Sequence, residues 1–427
     1  MYKFAHLADC HLGFQKLAEL KELEFKAFND ALDICVQEKV DFIIIAGDLF
    51  HSNLPDMNVV KKTVAKLREI NEKNIPIYMS YGSHDFSPNA TSIIDIITES
   101  GLLKNIYTPE IVELDDGNQK IGLRFTTDEK TQCKLTGIIG RKIGLEEDIF
   151  ELLDIDSLEN ENGFKIFVFH TSITELMDKS LSKIVDSISI NKFPKGFNYY
   201  AGGHIHKKIF TESVEGRGPV IYPGSLFSGY PRDFEISAKG EKRGFFITEF
   251  ENDIIDIKFH EIKVAEYEFI LLSVNDETSY QFYDRVLNEV QEIDVNNKIV
   301  ILKLEGELSG GKTSDINLFD IRKTLNENGA FSVNINHHSL KSKEFSNITT
   351  KGENKAEIEE NILRENIGTV NINIENLKGD KGAQKAYELV NILRHDSKLN
   401  EKKQDYKNRI IKDALNLLDV EVLPDDI

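Results

Sequence analysis

Short apolar runs alternate with longer segments of helical periodicity over roughly the first 263 residues. The apolar runs have the length of buried strands, and the clearest are YKFAHLA, VDFIIIA, IPIYMSY, KIFVFH and FNYYAG. The periodic segments between them predict helices at Glu19–Lys39, Pro55–Lys73 and Ala90–Leu103. The segment VELDDGNQKIGL, with Asp116–Gly117 as its turn, predicts a β hairpin. This order is typical of an α/β (α+β) layered domain, which we place at residues 1–263.

The rest of the chain divides into three further parts. Residues 264–340 follow the order strand, helix, strand, helix, strand, which predicts a small α/β domain. Residues 341–379 are charged and rich in Asn, with a helical stretch at Ala356–Glu365, and this composition predicts a linker. Residues 380–427 contain two stretches with apolar side chains on one helical face. These side chains are Ala386, Leu389, Val390 and Leu393 in the first stretch, and Tyr406, Ile410, Ala414, Leu417 and Leu418 in the second.

The composition is that of a globular protein in a reducing compartment. The chain has 427 residues, of which 40% are hydrophobic, enough for a sizeable core. Its 3 cysteines, Cys10, Cys35 and Cys133, have no CxxC spacing. Neither a signal segment nor an apolar run of membrane length is present in the sequence. We therefore expect a cytoplasmic protein that does not contact a membrane.

The formal net charge is -20. Affinity for a phosphate backbone comes mostly from cations, so this charge argues against nucleic-acid binding over the whole surface. An enzyme acting on nucleic acid would need a local positive patch beside bound divalent ions. The residues that could form one are Arg141, Lys142, Lys207, Lys208, Arg232, Lys242 and Arg243. The alternative is that these are scattered, solvated charges.

Acidic and histidine side chains follow the apolar runs, where the predicted strands end. They occur in DCH at Asp9–His11, GD at Gly47–Asp48, GSHD at Gly82–Asp85, FH at Phe169–His170 and GHIH at Gly203–His206. Strand ends share one edge of a sheet, so we expect these side chains to converge. Carboxylates together with imidazoles suit manganese, iron or zinc. A single histidine at a strand end is usually structural, but five motifs in the same context predict a metal site.

The motifs resemble those of the calcineurin-like metallophosphoesterases. Four segments narrow the resemblance: KFAHLADCHLG, DFIIIAGDLFHS, YYAGGHIHKK and VIYPGSLF are similar to the meiotic recombination eleven / SbcD family of DNA double-strand-break repair nucleases, especially its archaeal branch. The resemblance covers roughly the first 260 residues and continues beyond them only as domain order. His51 distinguishes the chain from protein Ser/Thr phosphatases, which carry an Asp at that place.

The resemblance implies an architecture and partners. The fold would be two mixed sheets packed face to face with helices outside, then a capping domain that helps to bind DNA. The C-terminal helices would dock on the coiled-coil base of an SbcC-type ABC ATPase, or alternatively pack on their own capping domain. The resemblance further implies a homodimer formed through helices of the nuclease domain, located with the nucleoid.

The resemblance also assigns roles at the metal site, which would hold two Mn²⁺ ions per subunit, with Mg²⁺ as a weaker substitute. Asp9, His11 and His206 would hold one ion, His170 and His204 the other, and Asp48 would bridge both. His84 would face the leaving group without binding metal, and His51 would orient His84 or position the DNA strand. A plain surface turn is the alternative for His51. The residues expected to contact DNA are Arg141, Lys207, Lys208 and Arg232.

One motif departs from the family pattern, because GSHD stands where the family has GNHD. Ser83 offers a short hydroxyl in place of an amide oxygen, so we expect the second ion to bind more weakly. Cys10 should point away from Asp9 and His11, into the core. Tyr222–Ser225 matches a family loop that shapes the active-site wall, although a tight turn would explain it equally well.

The small α/β domain contains a pattern that resembles a nucleotide-binding motif. Gly306, Gly311, Lys312 and Thr313 satisfy GxxxxGKT after a strand, the outward form of a phosphate-binding loop. Neither a larger parallel sheet nor an apolar strand ending in Asp follows, so we expect a charged connecting loop that binds no nucleotide.

Three functions are compatible with these patterns. The first is a manganese-dependent nuclease with 3′-to-5′ exonuclease and single-strand endonuclease activity, acting on DNA breaks. The second is a metal-bearing scaffold that binds DNA ends with weak or lost chemistry. The third, a small-molecule phosphodiesterase of the same fold, is disfavoured because it needs neither a capping domain nor docking helices.

Overall fold

The computed structural model describes residues 1–86, 91–113, 117, 119–140, 146–177, 186–227, 229–343, 359, 363, 377, 379–396, 398, 401 and 403–418. In chain order the strands are β1 (Tyr2–Leu7), β2 (Phe42–Ala46), β3 (Ile77–Ser80), β4 (Lys104–Asn105), β5 (Pro109–Glu113), β6 (Gln119–Leu123), β7 (Thr126–Thr127), β8 (Lys134–Gly137), β9 (Lys165–His170), β10 (Ser172–Ile173), β11 (Ser187–Ile188), β12 (Tyr199–Gly203), β13 (Ile209–Phe210), β14 (Val220–Tyr222), β15 (Gly244–Phe250), β16 (Ile254–Glu261), β17 (Glu266–Ser273), β18 (Lys298–Leu308) and β19 (Ser332–Ser342). The helices are α1 (Ala18–Gln37), α2 (Met57–Glu72), α3 (Ile93–Glu99), α4 (Glu146–Leu152), α5 (Ile155–Asn160), α6 (Pro231–Ala238), α7 (Ser279–Glu292), α8 (Leu318–Glu327), α9 (Gly379–Leu393) and α10 (Lys403–Leu417).

Two mixed sheets organise the first part of the chain. The first has the order β16-β15-β1-β2-β3-β4, with β1 to β4 parallel and β15 and β16 antiparallel. The second has the order β13-β14-β12-β9-β8-β7, with a parallel centre and antiparallel outer strands β13 and β7. Parallel neighbours need long crossover connections, which is why helical segments separate their strands along the chain.

Alternate residues of the strands face different layers. Phe42 and Ile44 of β2 join Ile166 of the second sheet in one buried cluster. Ile43, between them, joins Phe28 of α1 in another, and a third cluster covers the outer face of the second sheet. A strand that is buried on both faces reads as a continuous apolar run, as β2 does. The predicted sandwich of two sheets with helices outside is confirmed.

The helices of the first sheet begin and end close to the predicted positions, with α3 as the exception. It begins after Ser92, whose hydroxyl accepts a hydrogen bond from Asp95 N–H while the Asp95 carboxylate accepts one from Ser92 N–H. It ends at Glu99, because Gly101 adopts a φ of 79° that a helix does not allow. The predicted start at Ala90 lies outside the described residues. The predicted hairpin is present as β5 and β6, although Asp116 of its turn is likewise not described.

Residues 264–340 contain β17, α7, β18, α8 and β19 in the predicted order, with a three-stranded sheet β17-β18-β19. The chain packs as two compact units. One comprises Met1–Leu272, Val286–Leu304 and Leu318–His337, and the other Ser273–Arg285, Glu305–Asn317 and His338–Ile427. The strands and helices of residues 264–340 are distributed over both units. The predicted domain boundaries at residues 263 and 340 therefore remain a prediction. The predicted linker at residues 341–379, with its helical stretch, lies almost entirely outside the described residues.

The GxxxxGKT segment does not form a phosphate-binding loop. Gly306 lies inside β18, and Lys312 precedes a 3₁₀ turn of only 3 residues, Thr313–Asp315. The carboxylate of Asp315 accepts hydrogen bonds from Lys312 N–H at 2.7 Å and from the Ser279 hydroxyl at 2.9 Å. A phosphate site needs free amides at the start of an α-helix. Here a carboxylate of the chain itself takes that place.

The C-terminal stretches form α9 and α10, as their periodicity predicts, and the two helices contact each other. The Tyr406 hydroxyl donates a hydrogen bond to His395 O at 2.9 Å across the pair. Residues 419–427, at the end of the second predicted stretch, are not described. Within the described part of the chain, none of the helices combines the length and the apolar character that crossing a membrane requires.

Candidate dimetal centre

The two sheets present their acidic and histidine residues at one shared edge. Asp9 follows β1 and Asp48 follows β2 in the first sheet, while His170 ends β9 and His204 follows β12 in the second. Asp9, Asp48, His204 and also His11 have positive φ values of 50°, 53°, 87° and 45°. Non-glycine residues rarely adopt this conformation, and those that do cluster at functional sites. The backbone therefore turns sharply after β1, β2 and β12, where it aims these side chains into the centre.

Glycines permit the close approach that this edge requires. A Cβ atom at Gly47 would lie 2.2 Å from His170 Nδ1, and one at Gly82 would lie 2.1 Å from Asp48 Oδ1. A Cβ atom at Gly203 would lie 1.8 Å from Ala46 O. These distances are far below van der Waals contact, so only glycine fits at the three positions. The glycines of the GD, GSHD and GHIH motifs thus have a steric role.

The first cluster consists of Asp9, His11 and His206. Oδ1 of Asp9 lies 4.0 Å from His11 Nε2 and 3.9 Å from His206 Nε2, and the two Nε2 atoms are 2.9 Å apart. His206 Nδ1 donates to Asp233 Oδ2 at 2.8 Å, since a carboxylate only accepts. In neutral His206 this leaves the Nε2 lone pair directed at His11 and Asp9. The predicted ligand set of one ion is therefore brought together.

The second cluster consists of Asp9, Asp48 and His170. His170 Nδ1 donates to Ala46 O at 2.8 Å, which leaves Nε2 facing Asp48 Oδ2 at 3.1 Å and Asp9 Oδ1 at 3.9 Å. Asp48 Oδ2 also lies 3.6 Å from His11 Nε2, so it reaches both clusters, as its predicted bridging position requires. Asp9 is equally shared between the clusters. Sequence patterns did not indicate that, because it depends on distances across two sheets.

His204 lies at the margin of the second cluster. Its ring is 5.3 Å from that of His170, and its backbone N–H donates to both carboxylate oxygens of Asp9 at 3.0 Å. Burial, followed by the charge of His170, lowers the pKa of His204 to about 4. It is thus a neutral imidazole, the form that binds metal, and its backbone helps to hold Asp9.

The electrostatics of the centre fit divalent cations. Burial raises the pKa of Asp9. Burial alone would raise the pKa of Asp48 and lower that of His170, but their mutual attraction lowers the pKa of Asp48 and raises that of His170 to about 10. The ion-pair partners that the structure gives these two carboxylates are the imidazoles of His11, His170 and His206. Two buried carboxylates with inward-facing imidazoles form a donor set that suits one or two divalent ions.

Asp233 and Arg243 support the centre from behind, and the motifs did not reveal them. Asp233 holds the tautomer of His206, and its pKa is lowered, since the hydrogen bond and charge of His206 outweigh the effect of burial. The buried Arg243 donates to His206 O, to the Ser225 hydroxyl at 3.0 Å and to Asp233 O at 3.0 Å. Arg243 therefore fixes the Tyr222–Ser225 loop to the GHIH segment and cannot contribute to a surface patch.

His84 lies beside the two clusters that contain carboxylates but is a member of neither. Its backbone N–H donates to Asp48 Oδ1 at 2.8 Å, and its Nδ1 donates to His51 O at 2.7 Å. The rings of His51 and His84 stack at 4.8 Å, and both lie near His11. His11, His51 and His84 are themselves close enough together to hold an ion, so the role of His84 outside the ligand set stays a prediction. The orienting contact of His51 comes from its carbonyl oxygen, which no side-chain motif could have predicted.

A cleft of about 450 Å³ opens onto the centre. Ser83, Lys207 and Arg232 line it together with His84 and Tyr230. Lys208 does not, because its Nζ lies 4.3 Å from the centroid of the Phe259 ring. Lys242 pairs with Glu261 at 2.7 Å, and Arg141 and Lys142 lie outside the described residues. Cys10 is buried in the helix-side core, as predicted.

Comparison with known proteins agrees with this geometry. Residues 2–208 match the sequence model of the calcineurin-like phosphoesterase family. This segment is therefore similar to the calcineurin-like phosphoesterase domain. The chain is accordingly a metal-dependent hydrolase of phosphate esters, as predicted.

The chain is similar to archaeal proteins named DNA double-strand break repair protein Mre11. That of Methanococcus maripaludis is 26% identical over 306 residues, covering 70% of this chain and 76% of the relative. That of Archaeoglobus fulgidus is 27% identical over 279 residues, covering 62% of this chain and 61% of the relative, slightly under two thirds of its length. The predicted resemblance is confirmed. A solved dimetal phosphatase from Danio rerio aligns with a TM-score of 0.37 and 9% identity over 61% of this chain and 99% of its own, and we draw nothing from it.

Asp233→Asn should weaken metal binding at the first cluster. Loss of the carboxylate frees the tautomer of His206, and such a change typically costs roughly 10- to 100-fold in metal affinity. Calorimetric titration of the chelator-treated protein with Mn²⁺ measures this. Asp256→Asn, an exposed position on β16, is the matched control and should bind as the wild type does. Unchanged affinity in Asp233→Asn would remove the supporting role assigned to this carboxylate.

Ser83→Asn should tighten the second ion. The amide oxygen of Asn extends further from the backbone than the hydroxyl of Ser, so it can reach the second ion as a ligand. The weaker of the two Mn²⁺ binding steps should therefore strengthen, and the rate of catalysis should saturate at a lower Mn²⁺ concentration. Ser83→Ala serves as the control, because it removes the hydroxyl without adding a ligand. If both variants bind the second ion as the wild type does, Ser83 has no influence on that site.

Proposed function

We propose that this chain is a DNA nuclease that processes DNA ends in double-strand-break repair with two Mn²⁺ ions. The observation that carries the proposal is the pair of carboxylate and histidine clusters that share Asp9, with Asp48 Oδ2 of the second cluster 3.6 Å from His11 Nε2 of the first. The names of the archaeal relatives support DNA as the substrate. The mixed carboxylate and imidazole donors support manganese, with Mg²⁺ as a weaker substitute.

The residues of the centre would divide the work. Asp9, His11 and His206 would hold one ion, His170 and His204 the other, and Asp48 would bridge both. When bound, two such ions neutralise the scissile phosphate and lower the pKa of a bound water. Asp233 and Ala46 O keep the open nitrogens of His206 and His170 turned inward. His84 presents Nε2 to the cleft, where it would protonate the leaving sugar oxygen.

The substrate path follows from the lining of the cleft. Lys207 and Arg232 are the cations of the described residues that face it, and they would contact the DNA backbone. Given a net charge of -20, attraction must be local to these side chains and the bound ions. By resemblance we propose 3′-to-5′ exonuclease activity on duplex ends and endonuclease activity on single strands.

His84→Ala should abolish cleavage while metals and DNA affinity persist. General acid help is worth about 10²–10⁴-fold, so the loss should appear in turnover. Digestion of end-labelled DNA with Mn²⁺, Mg²⁺ and chelator in parallel tests both the variant and the function. The exposed His395→Ala is the control.

The outcomes separate the candidate functions. Wild-type cleavage in Mn²⁺ that chelator removes supports the nuclease. DNA-end binding without cleavage in any metal would favour the scaffold alternative, for which Ser83 is the supporting observation. A His84→Ala variant that cleaves normally would contradict only the role assigned to His84. The proposed nuclease function would still stand.

We also propose two protein partners. Exposed apolar side chains at the helices of the first sheet, Leu54, Met57 and Ile96, support a homodimer through these helices, and the molecular mass in sedimentation equilibrium tests it. An SbcC-type ABC ATPase would dock on α9 and α10. These helices contact each other, but Leu393 remains 56% exposed and available to a partner.

Leu393→Glu in the full chain should reduce association with the ATPase while leaving cleavage of simple DNA substrates unchanged, because a charge would enter the apolar docking face. Co-purification and the DNA digestion above measure the two effects. Leu152→Glu, on a helix of the phosphoesterase domain and 50% exposed, is the matched control. Normal association of Leu393→Glu would favour packing of these helices on their own chain.

A further inference from the structure

Tyr230 stands at the mouth of the cleft, where no motif marks it. Its side chain lines the cleft and is 37% exposed. Its ring lies 5.5 Å from that of His206, tilted by 32°, and 4.9 Å from that of Phe14. A tyrosine in this position presents a hydroxyl to any substrate that enters.

The backbone at Tyr230 is tied to the dimetal centre. Asp233 Oδ2 accepts a hydrogen bond from Tyr230 N–H at 3.1 Å and another from His206 Nδ1 at 2.8 Å. Asp233 N–H donates in return to Tyr230 O at 2.9 Å, and Pro231 begins α6. One carboxylate thus places both a candidate metal ligand and the start of α6. The position of Tyr230 is therefore built into the site and is not that of a free loop.

The hydroxyl of Tyr230 faces the catalytic nitrogen of His84. The separation from Tyr230 Oη to His84 Nε2 is 3.5 Å. His84 Nδ1 must carry a proton, because its partner, His51 O, is a carbonyl that only accepts. In neutral His84 the Nε2 atom is consequently an acceptor, and the hydroxyl of Tyr230 is the described donor beside it.

We infer that Tyr230 is a positioning residue for His84 on the leaving-group side of the phosphodiester. This inference rests on the proposed nuclease function. The oxygen of a water molecule bonds to phosphorus and gives a proton to solvent, while the P–O bond to the sugar breaks. The leaving sugar oxygen takes the electron pair of that bond and the proton of His84 Nε2. The freed Nε2 lone pair then accepts the hydrogen bond from Tyr230, which keeps its own proton. The hydroxyl thereby stabilises the neutral imidazole and its orientation as the proton passes to the leaving oxygen.

This role predicts a dependence on the leaving group. A sugar oxygen leaves as a strongly basic alkoxide and needs the proton, whereas p-nitrophenolate is a weak base that leaves without one. Removal of the hydroxyl should accordingly slow the cleavage of DNA but not that of an activated ester. A defect in the metal ions would slow both reactions.

The test compares wild type with Tyr230→Phe on two substrates, end-labelled duplex DNA and the p-nitrophenyl ester of thymidine 5′-monophosphate, both with Mn²⁺. We expect Tyr230→Phe to lose about 5- to 10-fold in kcat on DNA, the value of one hydrogen bond, with KM unchanged. On the nitrophenyl ester it should stay within about twofold of wild type. Tyr280→Phe, on α7 and 70% exposed, is the matched control.

Full activity of Tyr230→Phe on DNA would overturn the inference and leave the nuclease function standing. Equal losses on both substrates would also overturn it, because Tyr230 would then act on the metal side through His206. A wild-type protein that hydrolyses the ester in Mn²⁺ but never DNA would instead overturn the proposed function, and the inference with it.

Discussion

The contact between the two sheets at the carbonyl of Ala46 constrains the whole active region. This oxygen, at the end of β2 in the first sheet, accepts the hydrogen bond of His170 Nδ1 from the second sheet. Gly203 of β12 approaches the same oxygen so closely that a Cβ atom would lie 1.8 Å away. Sheets in a sandwich ordinarily stand about 10 Å apart with side chains between them. Here the backbones approach directly, so aspartates from one sheet reach histidines from the other.

That approach has an electrostatic consequence. Asp9 and Asp48 are buried at this edge, and charges buried without partners are costly. In the protein without ions, the pair of Asp48 with protonated His170 offsets part of the cost. A divalent cation would replace that proton and offset more, so binding of metal would release protons to solvent. The centre is therefore stable enough to form and is still improved by an ion.

Much of this region could be predicted from the sequence, because strand ends and their motifs are local features. The continuous apolar run of β2 places Asp48 at a sheet edge without knowledge of any other strand. Asp233 and Tyr230 could not be predicted, since they act on His206 and His84 across 27 and 146 residues of chain. The GxxxxGKT segment shows that a local motif can also mislead. Its sequence matches a phosphate-binding loop, but the backbone N–H of Lys312 donates to Asp315, a contact that only the folded chain reveals.

Two sets of carboxylates hold the two sides of the cleft. Asp9 and Asp48 form the metal side, whereas Glu24 and Asp233 hold the aromatic side chains opposite. Glu24 accepts hydrogen bonds from the backbone amides of Gly13, Phe14 and Gln15 at 2.8, 3.2 and 3.3 Å, which fixes Phe14 against Tyr230.

Burial raises the pKa of Glu24 to about 7, although the three amide hydrogen bonds oppose the shift. An acid with a raised pKa in the folded state destabilises the fold as pH rises from its ordinary value toward 7. The cost of burying Glu24 is therefore smallest under acidic conditions, whereas the three amide hydrogen bonds that hold the loop favour its ionised form. The two sides of the cleft are nevertheless coupled, because Asp233 accepts hydrogen bonds both from Tyr230 N–H and from His206 Nδ1 of the first cluster. A change at Asp233 would therefore reach both the aromatic side chains and the metal side.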